Sequence, residues 1–188
     1  IGYVLFYQID LFFSNPVYVL EIWKGGMSFH GGLSGMVISI YLFSKITRIS
    51  FFYLSDLVSL VAPIGLFLGR IANFINTELY GRVTDFPFAI IFPIIDNKPR
   101  HPSQIYEALF EGIILFLILF LYFKKNHKKY KAGNVGALFL IFYSIFRFTI
   151  EFLREPDPQL GLFINYFSMG QILCIPLFIV GIIIFYRK

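Results

Sequence analysis

An all-α, polytopic transmembrane helix bundle is the fold class this sequence predicts, and three observations predict it. Hydrophobic residues make up 57% of the 188 and aromatics 20%, with 25 Phe among them. Charged residues are only 14%, against about 25% in an ordinary soluble domain. The apolar residues gather in runs long enough to cross a bilayer, and Lys/Arg clusters fall between alternate runs. The formal charge of +5 does not point to a nucleic-acid partner, because the basic residues sit in short loops rather than along one face.

The elements follow in order. The chain begins in mid-pattern, Ile1-Gly2-Tyr3-Val4-Leu5-Phe6-Tyr7, with no basic segment ahead of it, so it does not read as a signal peptide. Ile1 to about Phe13 reads as the last part of a span that starts upstream, and an N-terminal segment is expected to be missing. Five further runs read as full spans: Ser34 to Phe43 extended back to His30, Leu54 to Phe74, Tyr106 to Phe123, Ala137 to Leu153, and Ile172 to Tyr186. Residues 1–188 thus read as a single transmembrane domain. Lys45 and Arg48, then Lys124, Lys125, Lys128, Lys129 and Lys131, then Arg187 and Lys188, all fall on one side of this layout. That side is expected to be cytoplasmic. Of the acidic residues only Asp56 lies near it. Residues 76–103 form an extracytoplasmic insertion. Within it, Phe86 to Ile95 is too short to span and reads as a small strand pair or an interfacial segment.

Charged side chains at bilayer depth cost roughly 2.5–3.5 kcal/mol on insertion scales, so each needs a reason. Gly25-Gly26-Met27-Ser28-Phe29-His30-Gly31-Gly32 puts a proton-exchanging histidine at a helix mouth. Gly69-Arg70-Ile71-Ala72-Asn73-Phe74-Ile75-Asn76-Thr77-Glu78-Leu79-Tyr80-Gly81 puts Arg70, Asn73 and Thr77 on one helical face. In His101-Pro102-Ser103-Gln104-Ile105-Tyr106-Glu107-Ala108, Pro102 or Ser103 can open a helix. Glu107 can then serve as a charge at the helix N-terminus. Glu111 lies deeper and calls for a partner such as an arginine. Tyr143, Arg147, Glu151 and Arg154 follow one helical stripe, and Arg147–Glu151 has ion-pair spacing. Two arginines at depth among carboxylates and amides suit an anionic ligand, because a guanidinium fork binds phosphate bidentately. A phospholipid headgroup reaches such a site from the membrane. Cys174 sits among apolar residues and reads as packing; one cysteine and three distant histidines supply no metal site.

These stretches, with Arg147-Phe148, Glu151-Phe152, Arg154-Glu155-Pro156-Asp157 and Ser168-Met169-Gly170-Gln171-Ile172-Leu173, resemble the bacterial phosphatidylglycerol–prolipoprotein diacylglyceryl transferases. The resemblance runs from Gly2 to Tyr186, and its most specific part is Gly69 to Gly81. It implies a seven-helix enzyme of the bacterial inner membrane whose cavity opens to the periplasm and to lipid. It implies transfer of a diacylglyceryl group from phosphatidylglycerol to the lipobox cysteine of a prolipoprotein, without cofactor or metal. Carried over position by position, it implies catalytic roles for His30, Arg70 and Arg147. It implies substrate contacts for Arg70, Asn73, Glu78, Gly81, Tyr143, Arg147 and Glu151. Glu78 and Glu151 would orient arginines, and His30, or in its place a carboxylate, would be the base or proton relay. The competing class is a transporter or channel for an anionic solute. That class needs polar residues toward both faces, and here they gather toward one.

Overall fold

The computed structural model describes residues 13, 29–126, 130–156 and 167–187, in two compact units, Ile1–Leu54 and Ser55–Lys188. The first unit contains helix α1, Phe29–Thr47. It stops where Thr47 turns its hydroxyl back to the carbonyl of Phe43 at 2.7 Å and Arg48 takes a left-handed φ of 60°.

The second unit is built on α2 (Phe51–Ile75, starting just before the unit boundary), α3 (Ser103–Asn126), α4 (Asn134–Ile150) and α5 (Met169–Tyr186). Among the described residues α2, α3 and α5 are long and apolar enough to cross a membrane, while the apolar Gly32–Thr47 and Asn134–Ile150 are shorter. Large hydrophobic side chains lie exposed along all of these helices, Leu68, Leu121, Val61 and Ile183 among them. For a chain in lipid that surface faces its solvent. The fourth predicted span runs three residues too far. The α4 helix ends at Ile150, and Glu151 to Leu153 form a turn, closed by the Leu153 amide on the Ile150 carbonyl at 2.9 Å. The apolar pair Phe152-Leu153 extends the hydropathy past the real end.

Small residues let the helices approach. A Cβ on Gly181 of α5 would meet Ile141 Cγ1 at 2.8 Å and the Ala137 carbonyl at 3.0 Å, so α4 and α5 pack backbone to side chain there. A Cβ on Gly112 of α3 would lie 2.7 Å from Cβ and 3.0 Å from Cα of Phe67 on α2. The middle of α3, Ala108–Ile114, is π-helical. The core consists of Leu115, Leu119, Val135 and Tyr143, with Tyr143 stacked on Phe139 at 5.6 Å and 4° between the rings.

At the start of α2, Asp56 is buried and accepts hydrogen bonds from the Gly133 amide at 2.5 Å, the Gly136 amide at 2.6 Å and the Tyr130 hydroxyl. It caps the first turn of α4 from another helix, satisfying N–H groups that no intrahelical carbonyl can reach. Gly133 precedes α4 with φ 101°, a conformation that favours glycine.

Residues 76–102 form a small platform. Strand β1 (Ile90–Ile91) pairs antiparallel with β2 (Pro99–Arg100). The segment after Tyr80 joins on the other side. The Gly81 amide donates to the His101 carbonyl at 3.0 Å, and the Arg82 amide donates to the Leu153 carbonyl at 2.9 Å. The chain after α4 is therefore an edge of the platform, with Gly81 bridged to Arg154.

Candidate functional site

One charged cluster draws on every helix of the second unit. Its geometry starts at the Gly112–Phe67 approach described above. Arg70 lies about one turn beyond Phe67, and Glu111 is the neighbour of Gly112, so the close backbones bring the two within reach. Arg70 Nε pairs with Glu107 Oε2 at 2.8 Å, and Arg70 Nη2 with Glu111 Oε2 at 3.5 Å. Arg147 of α4 pairs through Nη1 with the other oxygen of Glu107, and lies 3.7 Å from Glu111 Oε1. Arg147 Nη2 meets Glu151 Oε2 at 2.7 Å, and Arg154 Nη1 stands 3.8 Å from that same oxygen. Ser168 donates its hydroxyl to Glu151 Oε1 at 2.9 Å.

The sequence supports each of these placements locally. Ser168 caps α5 in a capping box with Gln171: the Gln171 amide donates to Ser168 Oγ at 3.3 Å, and the Ser168 amide to Gln171 Oε1 at 3.0 Å. Gly170 faces the same carboxylate; a Cβ there would be 3.0 Å from Glu151 Oε1. Helix α3 opens at Ser103 after Pro102. Ser103 Oγ donates to the Leu79 carbonyl at 2.9 Å, and Gln104 Nε2 to the Glu78 carbonyl at 2.6 Å. These bonds tie the end of α2 to the start of α3.

Burial decides what the cluster means electrically. The Glu107 and Glu111 side chains are 0% exposed, against 15% for Arg70 and 10% for Arg147. A carboxylate buried alone would cost several kcal/mol and neutralise instead. Here Glu107, Glu111 and Glu151 face Arg70, Arg147 and Arg154. The carboxylates form the sealed floor and the guanidiniums the more open side.

The residues singled out from the sequence fall as follows. Arg70, Arg147 and Glu151 are brought together, with Tyr143 one turn before Arg147. Asn73 and Glu78 are paired with each other, Nδ2 to Oε2 at 2.9 Å. Glu78 was expected to orient an arginine, and it meets Asn73 because the chain turns back through left-handed Thr77 and Leu79. Gly81 is buried in the platform, where a Cβ would be 2.6 Å from that of His101 and 2.8 Å from the Leu153 carbonyl. His30 lies in the first turn of α1, and its side chain is outside the described residues. Arg154 was placed on the α4 stripe. It lies beyond the helix, bridged to Gly81, and still reaches Glu151.

Sequence reasoning missed the central part. Glu107 reads as a charge at a helix N-terminus, but it clamps both arginines, one on each carboxylate oxygen. The sequence does put Gln104, Glu107 or Ala108, and Glu111 on one face of the helix, but it does not show that this face meets two arginines. Ser168 and Gly112 were missed as well.

A second polar group lies on the platform. Arg100 forms a fork with Asp96, Nη2 to Oδ2 at 2.8 Å and Nε to Oδ1 at 3.2 Å. It also reaches the Gly81 carbonyl at 3.1 Å and Glu155 at 3.2 Å, and lies 4.9 Å from the centre of the Tyr80 ring. The hydrogen bond from Arg100 holds the Asp96 carboxyl below its ordinary pKa of 3.8.

The family model described as prolipoprotein diacylglyceryl transferase matches residues 1–187. A phosphatidylglycerol–prolipoprotein diacylglyceryl transferase of Aeromonas hydrophila is 51% identical over 181 residues, 96% of this chain and 65% of that protein. The protein of the same name from Rickettsia canadensis is 54% identical over 182 residues, covering 96% and 70%. That from Mannheimia succiniciproducens is 50% identical over 192 residues, covering 100% and 70%. This chain thus spans about two thirds of the length of these curated relatives.

Proposed function

We propose that this chain, which belongs to the prolipoprotein diacylglyceryl transferase family, supplies most of an enzyme that moves a diacylglyceryl group from phosphatidylglycerol to the lipobox cysteine thiol of a prolipoprotein. The single observation that carries this reading is that Arg70 and Arg147, from different helices, close on the two oxygens of one buried carboxylate, Glu107.

In this reading the cysteine thiolate attacks the glyceryl carbon that bears the phosphoester. The C–S bond forms, the C–O bond to phosphate breaks, and glycerol phosphate leaves with the bonding pair. The thiol, with a pKa of about 8.5 in the free state, must give up its proton to a base. The resemblance offers His30, or else a carboxylate, for that base or relay. Departing phosphate gains charge, and donors fixed in advance at that position lower the barrier most. A guanidinium has five N–H donors, and the carboxylate contacts of Arg70 engage Nε and Nη2. A headgroup phosphate can then bind without Arg70 releasing Glu107. Arg70 and Arg147 hold the phosphate and stabilise its charge; Glu107, Glu111 and Glu151 fix the two guanidiniums. Asn73, Glu78 and Tyr143 complete the substrate contacts, and Gly81, whose amide and carbonyl are bonded to His101 and Arg100, serves the site by holding the platform together.

The setting proposed with this activity is the inner membrane of a bacterium, with the cluster facing the periplasm, residues 76–103 extracytoplasmic and five full spans in this chain. The deciding assay incubates the purified full-length protein with labelled phosphatidylglycerol and a lipobox peptide. A diacylglyceryl mass gain on the peptide cysteine is expected. Its absence from an intact, folded preparation overturns the reading in favour of anion transport or a purely structural role.

A further inference from the structure

Between Asp85 and Asp96 the chain runs Phe86-Pro87-Phe88-Ala89-Ile90-Ile91-Phe92-Pro93-Ile94-Ile95, ten residues without one polar side chain. A loop that met only water would not be built this way. Phe88 is 73% exposed and Ile94 83%, and Ile91, Ile95 and Phe86 are exposed as well. From these residues and where the fold puts them, we infer that the loop rests in the headgroup layer of the membrane, with Phe88, Ile91, Ile94 and Ile95 turned toward the acyl chains.

The occupant of this surface follows from the loop's attachments. Its buried residue, Phe92, packs edge-on against Phe74 in the last turn of α2, with ring centres 6.0 Å apart, and against Tyr80 at 6.3 Å. Phe86 lies 5.9 Å from the ring of His101, just ahead of α3. Strand β2 runs almost directly into α3. The loop is thereby held against the neighbouring ends of two helices long enough to cross a membrane, which is the level of the headgroups.

The backbone is suited to that layer too. Ala89 N–H bonds to the Phe86 carbonyl at 2.9 Å, while the amides of Ile95 and Asp96 bond to the Phe92 carbonyl at 2.9 and 3.1 Å. These turns satisfy N–H groups internally, which an apolar setting requires. At the far edge the Arg100 fork compensates the Asp96 carboxylate, and exposed Lys98 stands beside it at a place where lipid phosphates carry negative charge. Apolar side chains dipping under a basic edge are the pattern of an interfacial segment.

The test uses site-directed spin labels in the full-length protein, made cysteine-free (with Cys174→Ala) and reconstituted in vesicles of phosphatidylglycerol and phosphatidylethanolamine. Labels are placed through Ile94→Cys, Phe88→Cys and, as the water-facing reference, Asp85→Cys. Collision rates are read with oxygen, which partitions into lipid, and with a nickel chelate, which stays in water. The oxygen-to-nickel ratio is expected to be several-fold higher at Ile94 and Phe88 than at Asp85. Equal ratios at all three positions in vesicles overturn the inference, and so do labels at Ile94 and Phe88 that are immobile and shielded from both reagents, the signature of a covering protein. Neither outcome bears on diacylglyceryl transfer, which the peptide assay reads separately.

Discussion

Two buried carboxylate sites lie on the same scaffold, roughly 21 Å apart along α2 at about 1.5 Å per residue, and they are satisfied in opposite ways. Asp56 is held by two backbone amides and a tyrosine hydroxyl, all tied to one helix start. Glu107 and Glu111 are held by guanidiniums on long side chains from two other helices. Fixed backbone dipoles satisfy a charge and leave nothing over for a ligand. Guanidiniums satisfy a charge and keep donors to offer. The first site locks α2 to α4; the second leaves guanidinium donors on its more open side, where the proposed headgroup phosphate would bind.

Arg147→Lys tests that contrast most severely. Lysine keeps the positive charge and loses the planar fork that reaches Glu107 and Glu151 together. Transfer to a lipobox peptide should fall by about two to three orders of magnitude, the range seen when one donor to a developing anion is removed, with helical content retained. Unchanged transfer would mean that Arg147 does not grip phosphate.

Glu107→Gln is expected to come next. The amide keeps the size of the side chain and removes the charge that holds both guanidiniums. We expect kcat to drop by about one to two orders of magnitude, as for other residues that position catalytic groups. An Arg70→Ala, Glu107→Gln double variant should lose less than the product of the two separate losses, because the residues act as one unit.

Asp56→Asn probes the other side of the comparison. It should lower the unfolding free energy by about 1–3 kcal/mol, the cost of replacing a charged acceptor of buried hydrogen bonds. Below the unfolding transition, kcat per folded molecule should be unchanged. A drop in kcat without a drop in thermal stability would erase the distinction drawn here.

The smallest effect is expected on the platform. Arg100 lowers the pKa of Asp96 in the folded protein below the ordinary 3.8. The contribution of this pair is therefore complete above about pH 4 and is lost as the pH falls through the lowered folded value. The protection of the amides of Asp96, Asn97, Lys98 and Arg100 against exchange, taken relative to the intrinsic rate at each pH, should fall at acid pH in the parent protein. In Asp96→Asn that protection should already be low at neutral pH and lose its acid dependence.

The contrast between the two sites also marks what the sequence could convey. Arg147 stands out because no helix that merely spans would place an arginine among Phe142, Ile145, Phe146 and Phe148. The pairing of Arg147 with Glu151 is local and legible. Glu107 binds partners 40 residues ahead in Arg147 and nearly as far back in Arg70 on α2, across helices whose facing surfaces no single segment specifies. Asp56 was noticed only as an acidic residue on the basic side. Its role depends on a glycine turn 77 residues later. Hydropathy located the helices well, yet it overran the end of α4 because Phe152 and Leu153 are as apolar in a turn as in a helix. The link from Gly81 to Arg154 left no trace in periodicity, since single bridges have none.

The π-helical stretch Ala108–Ile114 carries one last implication. A turn closed by i→i+5 bonds advances its side chains round the axis by less per residue than the α-helical turns on either side. Glu107 stands just before this stretch and Glu111 inside it. Straightening α3 into a regular α-helix would therefore turn Glu111, Leu115 and Leu119 relative to Glu107, so the widened turn is what lets one rod serve both the arginines and the core.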